Sequence, residues 1–158
     1  MDTVSLHDLV SDAVAELHVL AESRQVTIRE SPAQDVTVRG DARELGRAVG
    51  NLLLNAIQHS PPGASVAVET EIDADGRAEL SIVDEGGGIA PEDLENVFRA
   101  GWRGAPSRTP QPLVGRSSGA GLGLAIARGI AVAHEGDLRA RNVDGGSRFE
   151  LVLPRTAS

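Results

Sequence analysis

The central helix of this protein is predicted from Arg47-Ala-Val-Gly-Asn-Leu-Leu-Leu-Asn-Ala-Ile-Gln-His-Ser60. Asn51 and Asn55 are four residues apart, so on an α-helix they lie one above the other on the same face. The opposite face is apolar and contains Leu45, Val49, Leu52, Leu53, Ala56 and Ile57. Asparagine is unfavourable inside a helix because its side chain competes for backbone hydrogen bonds. The pair therefore indicates either a solvated polar face or two amide oxygens that bind a hard cation such as Mg²⁺.

Length, charge and cysteine content restrict the class of protein. A chain of 158 residues with 41% hydrophobic residues is expected to form one globular domain. The formal net charge of -8 argues against nonspecific nucleic-acid binding, which requires a basic surface. Since there is no cysteine, disulfides, thiolate zinc sites and cysteine nucleophiles are excluded. No apolar run reaches the length of a membrane span, and the N-terminus does not resemble a signal peptide. We therefore expect a soluble chain.

Capping residues and periodicity predict the framework around the central helix. Ser5 and Asp8 have the spacing of a capping box for a first helix of about five turns, and Asp41 is the candidate N-cap of the central helix. Short strands are predicted at 26–28 and 36–38, and a closing hairpin at 137–143 and 147–153.

The carboxylate of Asp84 is predicted to face the core. Two strands, 64–72 and 77–84, alternate apolar and polar residues around the turn Asp75-Gly76. This alternation points Asp84 inward, where a carboxylate is costly unless hydrogen-bond donors reach it. The donor is either a group on a neighbouring loop or a ligand.

Two glycine-rich stretches have the features of ligand-binding loops. Asp84-Glu-Gly-Gly-Gly-Ile-Ala-Pro91 lets the backbone turn and approach a ligand closely, and it precedes a short predicted helix that ends near Phe98. Gly119-Ala-Gly-Leu-Gly-Leu-Ala-Ile126 leads into a helix that runs to about His134, and free amides at such a start favour an anion. This second stretch fits neither the Rossmann fingerprint nor the Walker loop.

The segment between these stretches is cationic. Residues 99–118 lack clear periodicity and contain four arginines (Arg99, Arg103, Arg108 and Arg116) and no acidic residue. A loop of this kind suits a polyanion such as a nucleotide phosphate tail, although a solvated loop without a function has the same composition.

The four motifs together resemble the catalytic ATP-binding domain of bacterial sensor histidine kinases. The resemblance covers about residues 5–154, within one domain of residues 1–158. Asn51-Leu-Leu-Leu-Asn-Ala-Ile-Gln-His-Ser60 resembles the asparagine box, and Asp84-Glu-Gly-Gly-Gly-Ile89 the first glycine box. Val97-Phe98 with Trp102-Arg103-Gly104 resembles the phenylalanine box, and Gly119-Ala-Gly-Leu-Gly123 the second glycine box. The fold implied is a two-layer α/β sandwich (the Bergerat ATP-binding fold), in which a mixed five-stranded sheet packs against about three helices, with a mobile ATP lid at about 99–118.

The resemblance implies roles for individual residues in binding ATP and Mg²⁺. Asn55 is expected to be the principal magnesium ligand, with Asn51 also facing the metal and the phosphates. Asp84 is expected to accept a hydrogen bond from the adenine amine. The residues expected to surround the base are His59, Gly86, Gly88 and Ile89. The residues expected to contact the phosphates are Gly119, Gly121, Leu122 and Gly123 through backbone amides, and Arg103 at the γ-phosphate.

Three departures from the family pattern affect the functional interpretation. Gln58 stands where the family usually has lysine or arginine, and Gly101 where a second aromatic is frequent. None of His7, His18, His59 and His134 has the context of a phosphoacceptor histidine. The phosphoryl group is therefore expected to go to a separate dimerisation and phosphoacceptor domain, and then to a response regulator. The resemblance also implies a monomeric catalytic fragment, cytoplasmic and belonging to a membrane-bound sensor.

Two other functions remain open within this resemblance. Relatives that hydrolyse ATP, or that act as serine kinases of the anti-sigma type, carry glutamate as a general base where Asn51 stands, and asparagine cannot accept that proton. A degenerate domain that binds a partner without nucleotide is the non-enzymatic alternative.

Overall fold

The computed structural model describes residues 2–31, 35–89 and 122–155. These ranges contain three helices and seven strands. In chain order the elements are β1 Asp2–Ser5, α1 Leu6–Ser23, β2 Thr27–Glu30, β3 Thr37–Gly40, α2 Ala42–His59, β4 Ser65–Ile72, β5 Ala78–Asp84, α3 Gly123–Ala133, β6 Asp137–Val143 and β7 Gly146–Leu153. The predicted helix after Pro91, the lid at 99–118, Phe98, Gly101 and Trp102 lie outside the described residues.

The helix starts follow the predicted capping residues. Ser5 is the N-cap of α1, and its hydroxyl accepts a hydrogen bond from the Asp8 amide at 3.1 Å. Asp41 is the N-cap of α2, and its carboxylate accepts from the amides of Arg43 and Glu44 at 3.0 and 3.2 Å. Such side chains satisfy amides that have no acceptor within the helix, a contribution of about 1 kcal/mol each.

The main sheet has five strands in the order β2-β4-β5-β7-β6. The β2–β4 pair is parallel and the other three pairs are antiparallel, so the predicted mixed five-stranded sheet is confirmed. The predicted strand at 36–38 instead belongs to a separate two-stranded sheet, in which β3 pairs antiparallel with β1. The sequence analysis missed β1 because four residues with one buried apolar side chain, Val4, are too short to show a period of two.

One layer of helices covers one face of this sheet. Side chains from both layers form a single buried cluster, in which α2 packs against α1, α3 and β5. The strand residues that face this core are Val66, Val68, Ala78, Leu80, Ile82, Phe149, Leu151 and Leu153. The other face is polar: Arg148 contacts Glu150 at 2.7 Å and Glu79 at 3.2 Å. The predicted two-layer α/β sandwich is therefore confirmed.

Candidate functional site

The orientation of α2 places Asn51 and Asn55 on one side of this helix, where Asn51 contacts the start of α3. The apolar side chains predicted for its inner face are at most 1% exposed: Leu45, Val49, Leu52, Leu53, Ala56 and Ile57. Burying this stripe fixes the rotation of the helix about its axis, since the apolar and polar residues repeat with the helical period. Asn51 and Asn55 are consequently half-buried one turn apart.

The two asparagine side chains differ in their hydrogen bonds. The Asn51 Nδ2 amide donates to the backbone carbonyl of Gly123, at the start of α3, at 3.2 Å. The Asn55 Nδ2 atom is buried and has no hydrogen-bond partner within the described part of the protein. A buried polar group without a partner costs about 1–3 kcal/mol, which a bound group can offset by supplying the partner.

Asp84 faces the core as predicted and is 2% exposed. It is the last residue of β5, and its Oδ1 atom accepts a hydrogen bond from the Gly86 amide at 2.8 Å. Its Oδ2 atom accepts from the Ser147 hydroxyl at 2.8 Å. Of the two sources of donors left open by the sequence, the protein supplies two, one from the following glycine-rich stretch and one from β7. An ionised carboxylate offers about four acceptor positions, so capacity for a ligand donor remains.

The first glycine-rich stretch turns closely around Asp84. Gly87 and Gly88 have φ values of 89° and 88°, which glycine adopts without steric cost. A Cβ atom at Gly86 would overlap the backbone carbonyl oxygen of His59, at the end of α2. This stretch therefore contacts the C-terminal end of α2, and half-buried Ile89 follows it.

The imidazole of His59 has a lowered pKa. Desolvation by the surrounding atoms is the largest cause, and the positive charge of Arg24 acts in the same direction. The Asp84 carboxylate opposes both effects by favouring the imidazolium. His59 is nonetheless an exposed residue, so the desolvation comes from neighbouring atoms that crowd the imidazole and not from full burial. The lowered pKa therefore favours the neutral form of the His59 imidazole, even though the Asp84 carboxylate is nearby.

Among the described residues, no side chain caps the start of α3. Leu122 is its N-cap residue, and no side chain at that position accepts a hydrogen bond from the first turn. The first turn of α3 also lacks acidic residues, whereas α2 begins with the Asp41 carboxylate. Amides at a helix start together with the positive end of the helix dipole favour an anion.

Gln58 and Arg24 meet at the C-terminal end of α2. Arg24, the C-cap residue of α1, donates from Nη2 to the Gln58 carbonyl at 3.2 Å, and its Nε atom is buried without a partner in the described structure. The Arg24 guanidinium therefore contacts the backbone of Gln58, the residue that departs from the family pattern. Of the predicted site residues, Arg103, Gly119 and Gly121 lie outside the described residues.

Comparison with known proteins identifies the family. Residues 40–157 match the family described as histidine kinase-, DNA gyrase B- and HSP90-like ATPases. A mycobacterial sensor histidine kinase, MprB, has a solved structure that superposes with a TM-score of 0.82 at 30% identity, covering 99% of this chain and 100% of that one. The chain belongs to the histidine kinase-, DNA gyrase B- and HSP90-like ATPase family.

Curated relatives of this chain include sensor kinases. The sensor-like histidine kinase SenX3 of Mycobacterium tuberculosis is 36% identical over 155 residues, which are 98% of this chain and 36% of SenX3. The sensor protein SphS of Synechococcus elongatus is 37% identical over 161 residues, covering all of this chain and 39% of SphS. This chain therefore spans less than two fifths of the length of these relatives. Within the superfamily, these relatives favour the sensor kinase branch over the hydrolase and serine kinase alternatives.

The sequence analysis missed residues near the site, among them Ser147 and Arg24. Ser147 is 4% exposed and lies on the inward face of β7 with Phe149 and Leu151. The alternation that singled out Asp84 would also have indicated Ser147, since it is a polar residue at an inward position. Arg24 gave no such signal because its contact with Gln58 joins residues 34 positions apart.

No helix within the three described ranges of the chain is long and apolar enough to cross a membrane.

Proposed function

We propose that this chain is the catalytic ATP-binding domain of a two-component sensor histidine kinase. It holds ATP–Mg²⁺ and positions the γ-phosphoryl group for transfer to a histidine on a separate domain. The observation that carries this proposal is Asp84, a carboxylate only 2% exposed with two protein donors and spare acceptor capacity. Such a group recognises a ligand amine, and the exocyclic amine of adenine has the required donor chemistry.

The base lies beside Asp84 in this proposal. Gly86 and Gly88 let the backbone approach the adenine ring, and Ile89 supplies apolar contact next to them. His59 lies near the same carboxylate with a lowered pKa, so its ring is neutral and does not neutralise Asp84 at physiological pH. The Asp84 carboxylate accepts from Gly86 and Ser147, which leaves acceptor positions for the adenine amine.

The residues at the polar edge of α2 fit a magnesium ion. Asn55 is the principal ligand through its amide oxygen, and Asn51 contributes beside it. The buried and unpartnered Asn55 Nδ2 atom supports a bound group here, because the amide either donates to a phosphate oxygen or turns its oxygen toward the cation. The ion, when bound with the nucleotide, neutralises phosphate charge.

The phosphate tail extends toward the start of α3. Leu122 and Gly123 offer backbone amides at a helix start that lacks an acidic cap. Gly119 and Gly121 contribute further backbone amides to this phosphate site, and Arg103 contacts the γ-phosphate. These three roles rest on the family resemblance. Gln58 lies on the same polar face of α2 as the two asparagines, and the Arg24 guanidinium donates to its backbone carbonyl.

Asn51 distinguishes phosphoryl transfer from hydrolysis. Its Nδ2 atom donates to the Gly123 carbonyl at 3.2 Å, a contact that a glutamate carboxylate cannot make since it has no donor. An amide also cannot accept a proton from water. Both facts argue against a rapid ATP hydrolase and against a serine kinase that uses a glutamate base.

The remaining parts of the reaction lie on other domains. The phosphoacceptor histidine belongs to a helical dimerisation domain, and the phosphoryl group then passes to a response regulator. We propose that residues 1–158 form one catalytic domain that is monomeric alone and works in the cytoplasm, as the inner part of a membrane-bound sensor. Nucleic acid is not among the proposed partners.

Calorimetry and phosphotransfer together test this function. The chain should bind a non-hydrolysable ATP analogue with Mg²⁺ and hydrolyse ATP slowly. With ATP and an added phosphoacceptor domain from a sensor kinase, it should produce an acid-labile phosphoramidate on histidine. Fast hydrolysis without an acceptor would favour the hydrolase alternative. Absence of nucleotide binding would favour the degenerate partner-binding domain.

A further inference from the structure

Asn142, near the end of β6, holds the backbone of Ile89 with both ends of its side-chain amide. Its Oδ1 atom accepts a hydrogen bond from the Ile89 amide at 2.6 Å. Its Nδ2 atom donates to the Ile89 carbonyl at 2.7 Å. This pairing satisfies the donor and the acceptor of one residue together, as a neighbouring strand would. Two simultaneous bonds fix the direction of the backbone as well as its distance.

The hairpin formed by β6 and β7 also contacts the rest of the loop that follows β5, residues 85–89. The Gly87 amide donates to the Gly145 carbonyl at 3.3 Å. Gly88 has a φ of 88°, and a Cβ atom there would lie 3.0 Å from the Asn142 Oδ1 atom. Gly146 lies so close to the Asp84 carbonyl that a side chain at that position would overlap it. The loop is thus held at one end by β5 and at the other by Asn142.

We propose that Asn142 is a positioning residue that sets the wall of the adenine pocket and thereby the selectivity for adenine over guanine. This inference rests on the proposed function, in which Asp84 recognises the adenine amine and residues 86–89 lie against the base. Asn142 acts through Ile89 and does not touch the nucleotide. A loop held in one conformation binds with less loss of conformational entropy, and it keeps the base aligned with Asp84.

The alternative is that the Asn142 side chain only fills space and that its hydrogen bonds to Ile89 do not matter. A variant of the same shape distinguishes these two roles. Asn142→Asp keeps the shape and one acceptor but has no donor for the Ile89 carbonyl. If Asn142 only fills space, the aspartate variant should behave as the wild type. If the paired hydrogen bonds matter, Asn142→Asp and Asn142→Ala should both be impaired. Asp144→Ala, an exposed change on the same hairpin, is the matched control.

Hydrogen exchange of the nucleotide-free chain tests the contact itself. In Asn142→Ala the Ile89 amide should exchange roughly tenfold faster, since it loses its acceptor. Amides within β5 and β7 should keep their rates, which shows that the variant is folded. Asp144→Ala should exchange at Ile89 as the wild type does. Unchanged exchange at Ile89 in Asn142→Ala would overturn the proposal.

Calorimetry with ATP and GTP in EDTA tests the consequence for selectivity. Asn142→Ala and Asn142→Asp should bind ATP about fivefold more weakly, a modest loss because water can replace bonds at this exposed residue. GTP affinity should change less, so the preference for ATP should fall. Faster exchange at Ile89 with an unchanged ATP preference would overturn this inference while leaving the proposed function intact. A wild-type chain that binds no nucleotide would overturn the proposed function itself, and this inference with it.

Discussion

Ser147 lies directly opposite Asp84 in the β5–β7 ladder, and its hydroxyl donates to the Asp84 Oδ2 atom at 2.8 Å. Both residues face the core, where Asp84 is 2% and Ser147 4% exposed. The Gly86 amide supplies the second donor to the same carboxylate. A buried carboxylate is tolerated only where such donors are present, so this pair keeps an acidic group inside an otherwise apolar layer.

Asp84→Asn should weaken ATP binding by at least about tenfold, because a hydrogen bond to a charged acceptor contributes about 1.5–3 kcal/mol. The variant should still fold, since the asparagine oxygen can accept from Gly86 while its amide donates to the Ser147 oxygen. Calorimetry measures the affinity, and Asp144→Asn provides the same chemical change at an exposed position. Equal affinity in Asp84→Asn and the wild type would remove Asp84 from the adenine site.

Asn55→Ala should weaken ATP binding more in Mg²⁺ than in EDTA. The amide oxygen of Asn55 is the proposed magnesium ligand, so its loss matters most when the metal accompanies the nucleotide. Removing the unpartnered buried Nδ2 atom should also leave the free energy of unfolding nearly unchanged or raise it. Calorimetric titrations in the two buffers make the comparison. The same loss of affinity in both would contradict the metal role.

The free energy of unfolding should rise with pH below about pH 6.5 because of His59. Its folded-state pKa lies below the ordinary value of 6.5, chiefly through desolvation, so the unfolded chain takes up a proton first as the pH falls. Protonation therefore favours unfolding, and the stabilising contribution returns as the pH rises toward that value. Urea unfolding between pH 5 and 8 should show a smaller slope with pH in His59→Gln. Parallel curves for the two proteins would show that His59 is not the group responsible.

Gly86→Ala should lower the free energy of unfolding by about 1–3 kcal/mol, because its Cβ would overlap the His59 carbonyl and force the backbone to move. Gly129→Ala is the opposite case, since Gly129 is exposed within α3 and a Cβ there would meet nothing within 4 Å. Alanine should stabilise that helix by about 0.5–1 kcal/mol. Urea unfolding measures both, and a Gly86→Ala protein as stable as the wild type would refute the close contact between the loop and α2.

The sequence by itself determined the local features of this protein. The N-caps Ser5 and Asp41, the rotation of α2 and the inward position of Asp84 all depend on residues that are close along the chain. Capping and periodicity therefore express them directly. The family resemblance added the order of the motifs, from which the two-layer sandwich and the mixed sheet were correctly predicted.

Only the tertiary structure decided which distant residues meet at the site. Ser147 contacts Asp84 across 63 positions, Asn142 contacts Ile89 across 53, and Arg24 contacts Gln58 across 34. The pairing of β1 with β3 likewise required the folded chain. Strand register and helix packing set these contacts, and a shift of one residue in register would turn each side chain to the other face of the sheet. Local patterns contain no information on register between distant segments, so the sequence predicted Asp84 but not the hydroxyl that holds it.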